Sequence, residues 1–418
     1  MAQHLSSRLV GGLKGLLALA VIPVLAFLKL VRPRFTIQVM STNHQFFGHL
    51  ALEPEKYLSA RDAALALQEV EFAGEKHWKN IVGGPIGRSD GKCITLWNFG
   101  GVQALPNMQL LKMWMRHLHV APSIVAGTLI RAGRLVPKLN IFEYRFSSLL
   151  SVDRYLDEST SHLSFTSEEI QQAVIEMRAA GIDPELPWVC LIVRSKNATD
   201  TDSELRSRSI DDFVAASELL AEKNLQVIRM GAARSPKLMA KHKNVIDYAN
   251  SGQRSELLDL FLLAHCAFAV STLSGPDAVC MAFRRPVLYI DLANYALCFS
   301  GTNLTTWVPA VISHAASGER LTLSEAFKLG VGWFWKDSQY RDAGLTVQQS
   351  SPAEIAEYAG EMVEKYVVDK AGNVSPLQGD YQRVMTEAMG PLGEQWHGEI
   401  RSQISGGFLQ RNAQWFLA

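Results

Sequence analysis

The chain has 418 residues, of which 48% are hydrophobic, and its 41 basic and 41 acidic side chains give a formal net charge of zero. This length and composition allow two domains with apolar cores of their own. The sequence lacks a basic stripe interleaved with aromatic residues, which excludes a typical nucleic-acid-binding surface. Its five scattered cysteines show neither zinc-ligand nor redox spacing, and this pattern favours a reducing compartment.

Residues 9–31 form an apolar stretch that precedes the first predicted strand. The uncharged centre of this stretch, between Lys14 and Lys29, is shorter than the about 20 apolar residues of a full membrane span. Cationic flanks are typical of a helix that lies on, or is embedded in, an anionic leaflet, so we expect residues 1–34 to form a membrane-associating helix. A marginal span with snorkelling lysines, a secretory signal and an ordinary buried helix are the alternatives.

In the first half, strands are predicted over residues 35–40, 92–100 and 140–146, and a helix follows the loop that begins at residue 41. Thr166 and the two glutamates that follow Ser167 predict the start of a helix that ends near Gly181. Prolines directly after this helix predict a break in regular structure. We therefore predict one α/β domain over residues 35–165 and a second over residues 166–350.

Apolar strands alternate with helices through the second half. Strands are predicted over residues 188–193, 225–231, 244–250, 267–272 and 286–291. Helices are predicted over residues 210–223, 256–266 (capped by Ser255) and 276–283, and over 352–367 and 380–389 in a helical tail, residues 351–418, that packs back on the domains. Continuous apolar strands indicate a parallel sheet covered on both faces, which binds ligands at the carboxyl ends of its strands. The aromatic residues of TTWVPAV and GVGWFWKDSQY, between residues 300 and 350, are left unassigned.

The sequence STLSG, residues 271–275, lies between a predicted strand and a predicted helix. At a helix start, unpaired backbone N–H groups and the helix dipole favour an anion. Gly275 would allow a phosphate to approach closely, and Ser271, Thr272 and Ser274 carry hydroxyl donors. These features predict a diphosphate-binding turn, although the turn is neither a Walker loop nor a GxGxxG fingerprint. The alternative is a plain helix cap with nothing bound.

Two arginines strengthen the diphosphate interpretation. Arg194 and Arg229 each lie at the end of a predicted strand, and the carboxyl ends of parallel strands share one edge. Guanidinium groups beside a helix N-terminus suit a nucleotide diphosphate. The alternative for each arginine is a surface salt bridge.

The second half resembles a family of bacterial glycosyltransferases with the GT-B architecture, whose members are linked to surface polysaccharide or flagellar sugars. The matching segments are VIRMG (residues 227–231), VIDYANS (245–251), SELLDLFLLAHCAF (255–268), STLSGPD (271–277) and FRRPV (283–287). The first half matches through FFGHLALEPEKYL (46–58). The chain departs from the family near Arg208, where a Tyr-Arg-Asn sequence is expected and LRSRSID (205–211) stands instead.

The resemblance implies two Rossmann-like domains that face a cleft, with the nucleotide-sugar donor on the second half and a glycan or lipid-linked acceptor on the first. It implies donor contacts at Gly231, at Asp247 and Tyr248 for the nucleobase, and at Asp277 for the ribose. Asp247 and Tyr248 alternatively form a turn at the end of a strand, and Asp277 alternatively stabilises the helix N-terminus. It also implies that His49, after Gly48, accepts the proton of the acceptor hydroxyl. A capping or core histidine is the alternative.

The resemblance implies no cofactor and no metal, because helix dipoles and cations can neutralise a leaving diphosphate. The DTD sequence at residues 200–202 looks like part of a polar loop rather than a metal site. The expected enzyme is a hexosyltransferase-like protein at the cytoplasmic face of the inner membrane. A nucleotide-sugar epimerase or hydrolase, and a non-catalytic nucleotide-binding or scaffold protein, are the other candidate functions. The altered sequence around Arg208 motivates the last of these.

Overall fold

A computed structural model describes residues 2–32, 36–42, 45–67, 93–100, 105–145, 150–195, 204–232, 236–368 and 376–418. The chain divides into two compact units, Met1–Ser148 and Leu149–Ala418. This division precedes the predicted boundary at residue 165. The reason is that the segment after Ser148 packs within the second unit, where Asp157 accepts a hydrogen bond of 2.6 Å from the Thr302 hydroxyl.

The first unit is an α/β structure with a parallel sheet. Its elements are α1 (Ala2–Val31), β1 (Thr36–Ser41), α2 (Phe47–Leu67), β2 (Cys93–Asn98), α3 (Met108–Trp114), α4 (Ser123–Leu135) and β3 (Ile141–Arg145). The described strands form one sheet in the order β2-β1-β3, with both pairs parallel. All three lie at the predicted strand positions. The central position of β1 explains why its residues 37–40 are buried.

Helix α1 packs along one side on the core of this unit. Ala18 is fully buried, and Val21, Ile22 and Leu25 pack against a cluster that includes Ala126 of α4. Among the described residues, no helix combines the length and the apolar character that crossing a membrane requires.

The second unit alternates strands and helices as predicted. Its elements are α5 (Arg154–Glu158), α6 (Ser167–Ala179), β4 (Trp188–Ile192), α7 (Val214–Glu222), β5 (Gln226–Met230), β6 (Val245–Ile246), α8 (Glu256–His265), β7 (Phe268–Ser271), α9 (Asp277–Ala282), β8 (Val287–Leu292), β9 (Thr305–Pro309), β10 (Val311–His314), α10 (Leu323–Lys328), α11 (Asp337–Asp342), β11 (Leu345–Gln348), α12 (Pro352–Val363), α13 (Pro376–His397), β12 (Gln403–Ile404) and α14 (Gly406–Phe416). Strands β10 and β11 form a separate antiparallel pair.

The main sheet of the second unit has seven strands in the order β12-β9-β8-β7-β4-β5-β6, and every pair is parallel. Counted from β4 in chain order, strands β4 to β9 take the order 3-2-1-4-5-6 of a doubly wound nucleotide-binding fold. The order reverses between β4 and β7. Ligands of such sheets bind at the carboxyl ends of the strands on either side of that reversal.

Side-chain caps mark the starts of two helices at the predicted residues. Thr166 forms a capping box with Glu169 at the start of α6, and the Ser255 hydroxyl accepts from the Leu258 N–H at the start of α8. In the tail, the predicted helix end at residue 389 coincides with a break in α13. There Gly390 has a positive φ of 58° and Pro391 follows, and a second helical segment continues to His397. The tail also adds β12 to the main sheet, beside β9.

The buried His397 makes the stability of the second unit depend on pH. Its Nδ1 is hydrogen-bonded to the Ser300 hydroxyl, and burial lowers its pKa to about 4. In the unfolded chain a histidine has a pKa of about 6.5, so the unfolded state binds the proton first as the pH falls. The contribution of neutral His397 is therefore present above about pH 6.5 and is lost as the pH falls towards 4.

We expect the free energy of unfolding of the wild type, relative to His397→Gln, to fall by about 3 kcal/mol between pH 7 and pH 4. Urea unfolding of both proteins across that range measures this difference. Taking the difference between the two proteins cancels the titration of all other groups. A difference that stays constant with pH would show that His397 does not control acid stability.

Candidate functional site

The carboxyl ends of β4 and β7 lie side by side where the strand order reverses. The Thr272 N–H donates to the Ile192 carbonyl at 3.1 Å, and the Thr272 hydroxyl accepts from the Arg194 N–H at 2.9 Å. The structure thus brings two of the predicted site residues, Arg194 and Thr272, together at the reversal. The Thr272 hydroxyl thus joins the two strand ends.

The turn after β7 is closed by its own side chains. The Asp277 carboxylate accepts from the Ser271 hydroxyl and from the Ser274 N–H, both at 2.7 Å, and the Ser271 hydroxyl also accepts from the Leu273 N–H at 3.1 Å. Leu273 has a positive φ of 64°, which makes the turn tight. Gly275 is part of the same turn. The donors that were predicted to bind a diphosphate are therefore used, in large part, inside the turn.

Asp277 is itself the anion at this helix start. It is almost fully buried, and burial raises its pKa to about 6, although the bonds from Ser271 and Ser274 oppose the rise. At neutral pH most of the group is charged and would repel a phosphate placed against the same donors. Asp277 thus stabilises the turn and the start of α9, which is the alternative role that the sequence allowed.

Arg229 and Asp247 form an ion pair at the neighbouring strand ends. The Arg229 side chain is buried, and its Nη1 lies 3.1 Å from Oδ1 of Asp247. Asp247 also accepts from the Leu238 N–H and the Asn250 amide. Strand β6 has only two residues and ends before Asp247, whereas the sequence predicted a strand of seven residues. Arg229 thus pairs with a carboxylate of the chain.

The other two residues predicted near this edge have different surroundings. Tyr248 is fully buried, and its hydroxyl accepts from the Ser255 N–H at 3.2 Å. This places the phenol in the core rather than against a nucleobase. Gly231 directly follows β5 and so lies at the carboxyl edge, as predicted.

Arg208 connects three parts of this edge. Its guanidinium pairs with Asp291 at the end of β8, contacts Asp212 at 2.9 Å and donates to the Ser350 carbonyl at 2.9 Å. Its backbone N–H donates to the Arg194 carbonyl at 3.0 Å. Arg208 and Asp291 are both buried, and burial raises the pKa of Asp291 while Arg208 opposes that rise. Arg208 thus connects the end of β8, Ser350 and the segment that follows β4.

A pocket opens at the carboxyl ends of β7 and β8. The space between its walls is about 440 Å³, which includes open solvent. The residues around it come from the two strand ends, from the segment before Arg208 and from α11 and the loop that precedes it: Leu205, Arg206, Thr272, Leu273, Asp291, Leu292, Ala293, Asn294, Leu297, Phe334, Trp335, Asp337 and Tyr340. Of these, only Thr272 belongs to the predicted site.

Two of the residues that line the pocket stand out by their exposure and their hydrogen bonding. Trp335 is 59% exposed, and an indole at the rim of a pocket offers a flat apolar surface for stacking. Both amide atoms of Asn294 are buried and have no hydrogen-bond partner among the described residues. A buried amide without partners costs about 1–3 kcal/mol, and a ligand with a donor and an acceptor would offset that cost.

In the first unit, His49 lies in the first turn of α2 and is held by a carboxylate. Its Nδ1 lies 2.6 Å from Oε1 of Glu53, one helical turn later. The His49 side chain is 39% exposed, whereas that of Glu53 is only 6% exposed. A buried carboxylate that bonds one ring nitrogen fixes the orientation of the ring and favours the basic tautomer at the other nitrogen.

The DTD sequence at residues 200–202 lies outside the described residues. The strand order defines the second unit as a doubly wound α/β domain with a pocket at the carboxyl edge of its sheet. No protein-family profile and no curated protein matches the chain.

Matching solved structures include heptosyltransferases. The E. coli ADP-heptose LPS heptosyltransferase II shares 12% identity over 61% of this chain and 84% of its own, with a TM-score of 0.35. A family 9 glycosyl transferase from Veillonella parvula shares 10% identity over 61% of this chain and 80% of its own, with a TM-score of 0.36. A dodecameric iron-containing heptosyltransferase in complex with ADP-D-beta-D-heptose shares 11% identity over 61% of this chain and 58% of its own, with a TM-score of 0.25. At these values the likeness decides neither substrate nor reaction.

Proposed function

We propose that the chain is a glycosyltransferase of the GT-B type that uses a nucleotide-sugar donor and works at the cytoplasmic face of the inner membrane. The observation that carries the proposal is the pocket at the carboxyl ends of β7 and β8, with Trp335 at its rim and the Asn294 amide without partners. Doubly wound sheets bind nucleotides at this edge. A nucleotide offers both a planar base for stacking and polar groups for an amide.

In the proposed reaction, the oxygen of an acceptor hydroxyl attacks the anomeric carbon of the donor sugar. The bond from that carbon to the phosphate oxygen breaks, and the nucleoside diphosphate leaves with both bonding electrons. Nε2 of His49 takes the hydroxyl proton, and Glu53 stabilises the imidazolium that forms. Arg194, which follows β4, and Arg206, which lines the pocket, are the guanidinium groups assigned to the leaving diphosphate. The proposal assigns no metal to this step.

The acceptor is assigned to the first unit as a glycan or lipid-linked sugar, and residues 9–31 are assigned to membrane association. Release of nucleotide from UDP-, GDP-, CMP-, dTDP- and ADP-sugars tests the reaction, with the full chain, added membrane lipid extract and excess EDTA. We expect release from one donor class, dependent on the extract and unaffected by EDTA. Release of nucleotide without any acceptor would identify a hydrolase instead, and a new nucleotide-sugar formed without nucleotide release would identify an epimerase.

Replacement of Trp335 by Ala is expected to weaken binding of the preferred donor about five- to hundredfold, because stacking on an aromatic ring contributes about 1–3 kcal/mol per base. Titration calorimetry measures the change. Trp396→Ala is the matched control, since Trp396 is a partly exposed tryptophan that does not line the pocket, and it should leave the affinity unchanged. Equal affinities for both variants would exclude Trp335 from the donor site.

A non-catalytic nucleotide-binding or scaffold protein is the second candidate. It is favoured by the Asp277 carboxylate, which occupies the donors of the turn, and by the pairing of Arg229 with Asp247. Such a protein would bind a nucleotide in the pocket and release no product with any donor.

A further inference from the structure

Helix α1 is attached to the first unit along a narrow stripe. Gly15, Ala18, Ile22, Leu25 and Lys29 recur at intervals of three or four residues and, with Val21, are the more buried positions between residues 15 and 31. A Cβ built on Gly15 would lie 3.6 Å from Nη1 of Arg131 in α4, so the two helices touch there. Since the stripe runs from residue 15 to residue 29, the axis of the helix follows the surface of the unit over about four turns.

Between residues 15 and 31, most of the remaining helix surface is apolar and exposed. Leu16, Leu19, Val24, Phe27 and Leu30 are each more than 60% exposed. The sequence has no charged residue between Gly15 and Leu28. A helix that is hydrophobic all round normally lies inside a protein or in lipid, and an exposed apolar patch of this extent indicates a partner.

Helix α4 extends the same kind of surface. Ile124, Val125 and Leu135 are exposed on it, next to the exposed Arg131 and the nearby Lys138. Neither α1 nor α4 contains an acidic residue. Cations beside an apolar helix face are the usual composition of a surface that binds anionic lipid.

Charge is segregated in this unit beyond the two helices. The first 52 residues contain five Lys and Arg and no acidic residue, and residues 93–142 again contain five Lys and Arg and no acidic residue. Two copies of so basic a surface would repel each other, whereas an anionic leaflet would attract it. The charge therefore favours lipid over a second copy of the chain as the partner.

We infer that α1 and the exposed side of α4 form one lipid-facing surface, on which the first unit rests with α1 parallel to an anionic leaflet. The attached stripe explains the orientation, because a helix held along its length by its own unit cannot turn its axis across the bilayer without leaving that unit. This inference rests on the membrane placement in the proposed function and not on its transfer chemistry. Vesicle binding and sugar transfer are therefore tested separately.

Flotation of the full chain with vesicles tests the surface. We expect binding to phosphatidylcholine vesicles that contain phosphatidylglycerol, and weaker binding to pure phosphatidylcholine or in high salt. Phe27→Glu with Leu30→Glu should reduce binding at least tenfold, and Arg32→Gln with Lys138→Gln about fivefold per cation. Ile170→Glu with Ile175→Glu, on an exposed part of α6 in the second unit, is the matched control and should bind as the wild type does.

Unchanged vesicle binding in the Phe27 and Leu30 variant would overturn the inference. The inference would also be overturned if the wild type did not bind vesicles but formed a dimer, and the Phe27 and Leu30 variant were monomeric. The surface would then bind a second copy of the chain rather than lipid. Thermal melting of each variant shows that it is folded. Because the substituted side chains are exposed, we expect melting temperatures close to that of the wild type.

The depth of α1 in the bilayer tests its orientation. A fluorophore is placed on Leu16→Cys, Val24→Cys or Leu30→Cys in a Cys93→Ser background, where the remaining four cysteines are buried. Quenching by lipids that carry spin labels at shallow and deep positions reports the depth. A helix parallel to the leaflet gives one similar, shallow depth at all three sites. A Val24 site much deeper than the other two would show a spanning helix and overturn the orientation.

Discussion

Replacement of Arg208 by Ala is expected to destabilise the second unit by about 3–5 kcal/mol, because it leaves a buried carboxylate without its cation. Asp291, the partner of Arg208, is buried at the end of β8 and also lines the pocket. The same substitution releases the Ser350 carbonyl and Asp212. Urea unfolding of the full chain measures the loss.

Two further variants separate the ion pair from general packing. Arg383→Ala removes an exposed arginine that pairs with Asp380 and Glu387, and such surface pairs contribute about 0–1 kcal/mol. Arg208→Met combined with Asp291→Leu removes both buried charges and should cost less than Arg208→Ala alone. An Arg208→Ala protein as stable as Arg383→Ala would contradict the assignment of Arg208 as the residue that joins β4, β8 and the segment before α12.

His49→Ala is expected to lower the rate of sugar transfer about 10²–10⁴-fold, the usual loss when a general base is removed. The affinity for the nucleotide-sugar should not change, since the donor is assigned to the second unit and His49 belongs to the first. Steady-state kinetics with direct donor titration measure both quantities.

Glu53→Gln tests how His49 is positioned. An amide at this position still meets Nδ1 but no longer stabilises an imidazolium, so we expect a smaller loss of turnover than in His49→Ala and an altered pH profile. His119→Ala replaces another exposed histidine of the first unit and is the control. A His49→Ala protein with wild-type turnover would show that His49 is the capping histidine that its position at the start of α2 also allows.

The parallel sheet of the second unit was predictable because its strands are buried on both faces. Residues 188–193 and 286–290 are continuous apolar runs, and their strands β4 and β8 are buried throughout. Strand β9 was not predicted, because it begins with Thr305 and Thr306, whose hydroxyls look like part of a loop. Both residues are buried beside β8.

The partners of charged residues were less predictable than their positions. Arg229 was correctly placed near a strand end, but its pairing with Asp247 depends on the neighbouring strand and a chain separation of 18 residues. The closure of the turn by Asp277 likewise depends on a tight backbone that local sequence does not specify. Asn294 and Trp335 were not identified, since they meet only in the folded chain. The aromatic cluster in GVGWFWKDSQY was the available signal for Trp335.

A thermal-shift screen of the full chain against UDP-, GDP-, CMP-, dTDP- and ADP-sugars tests the donor pocket most directly. A ligand that binds the native state raises the melting temperature by mass action. We predict a rise with one nucleotide class that persists in EDTA, is lost in Trp335→Ala and Asn294→Leu, and is kept in Trp396→Ala. No rise with any donor, from a folded sample, would contradict the assignment of a nucleotide-sugar site to this pocket.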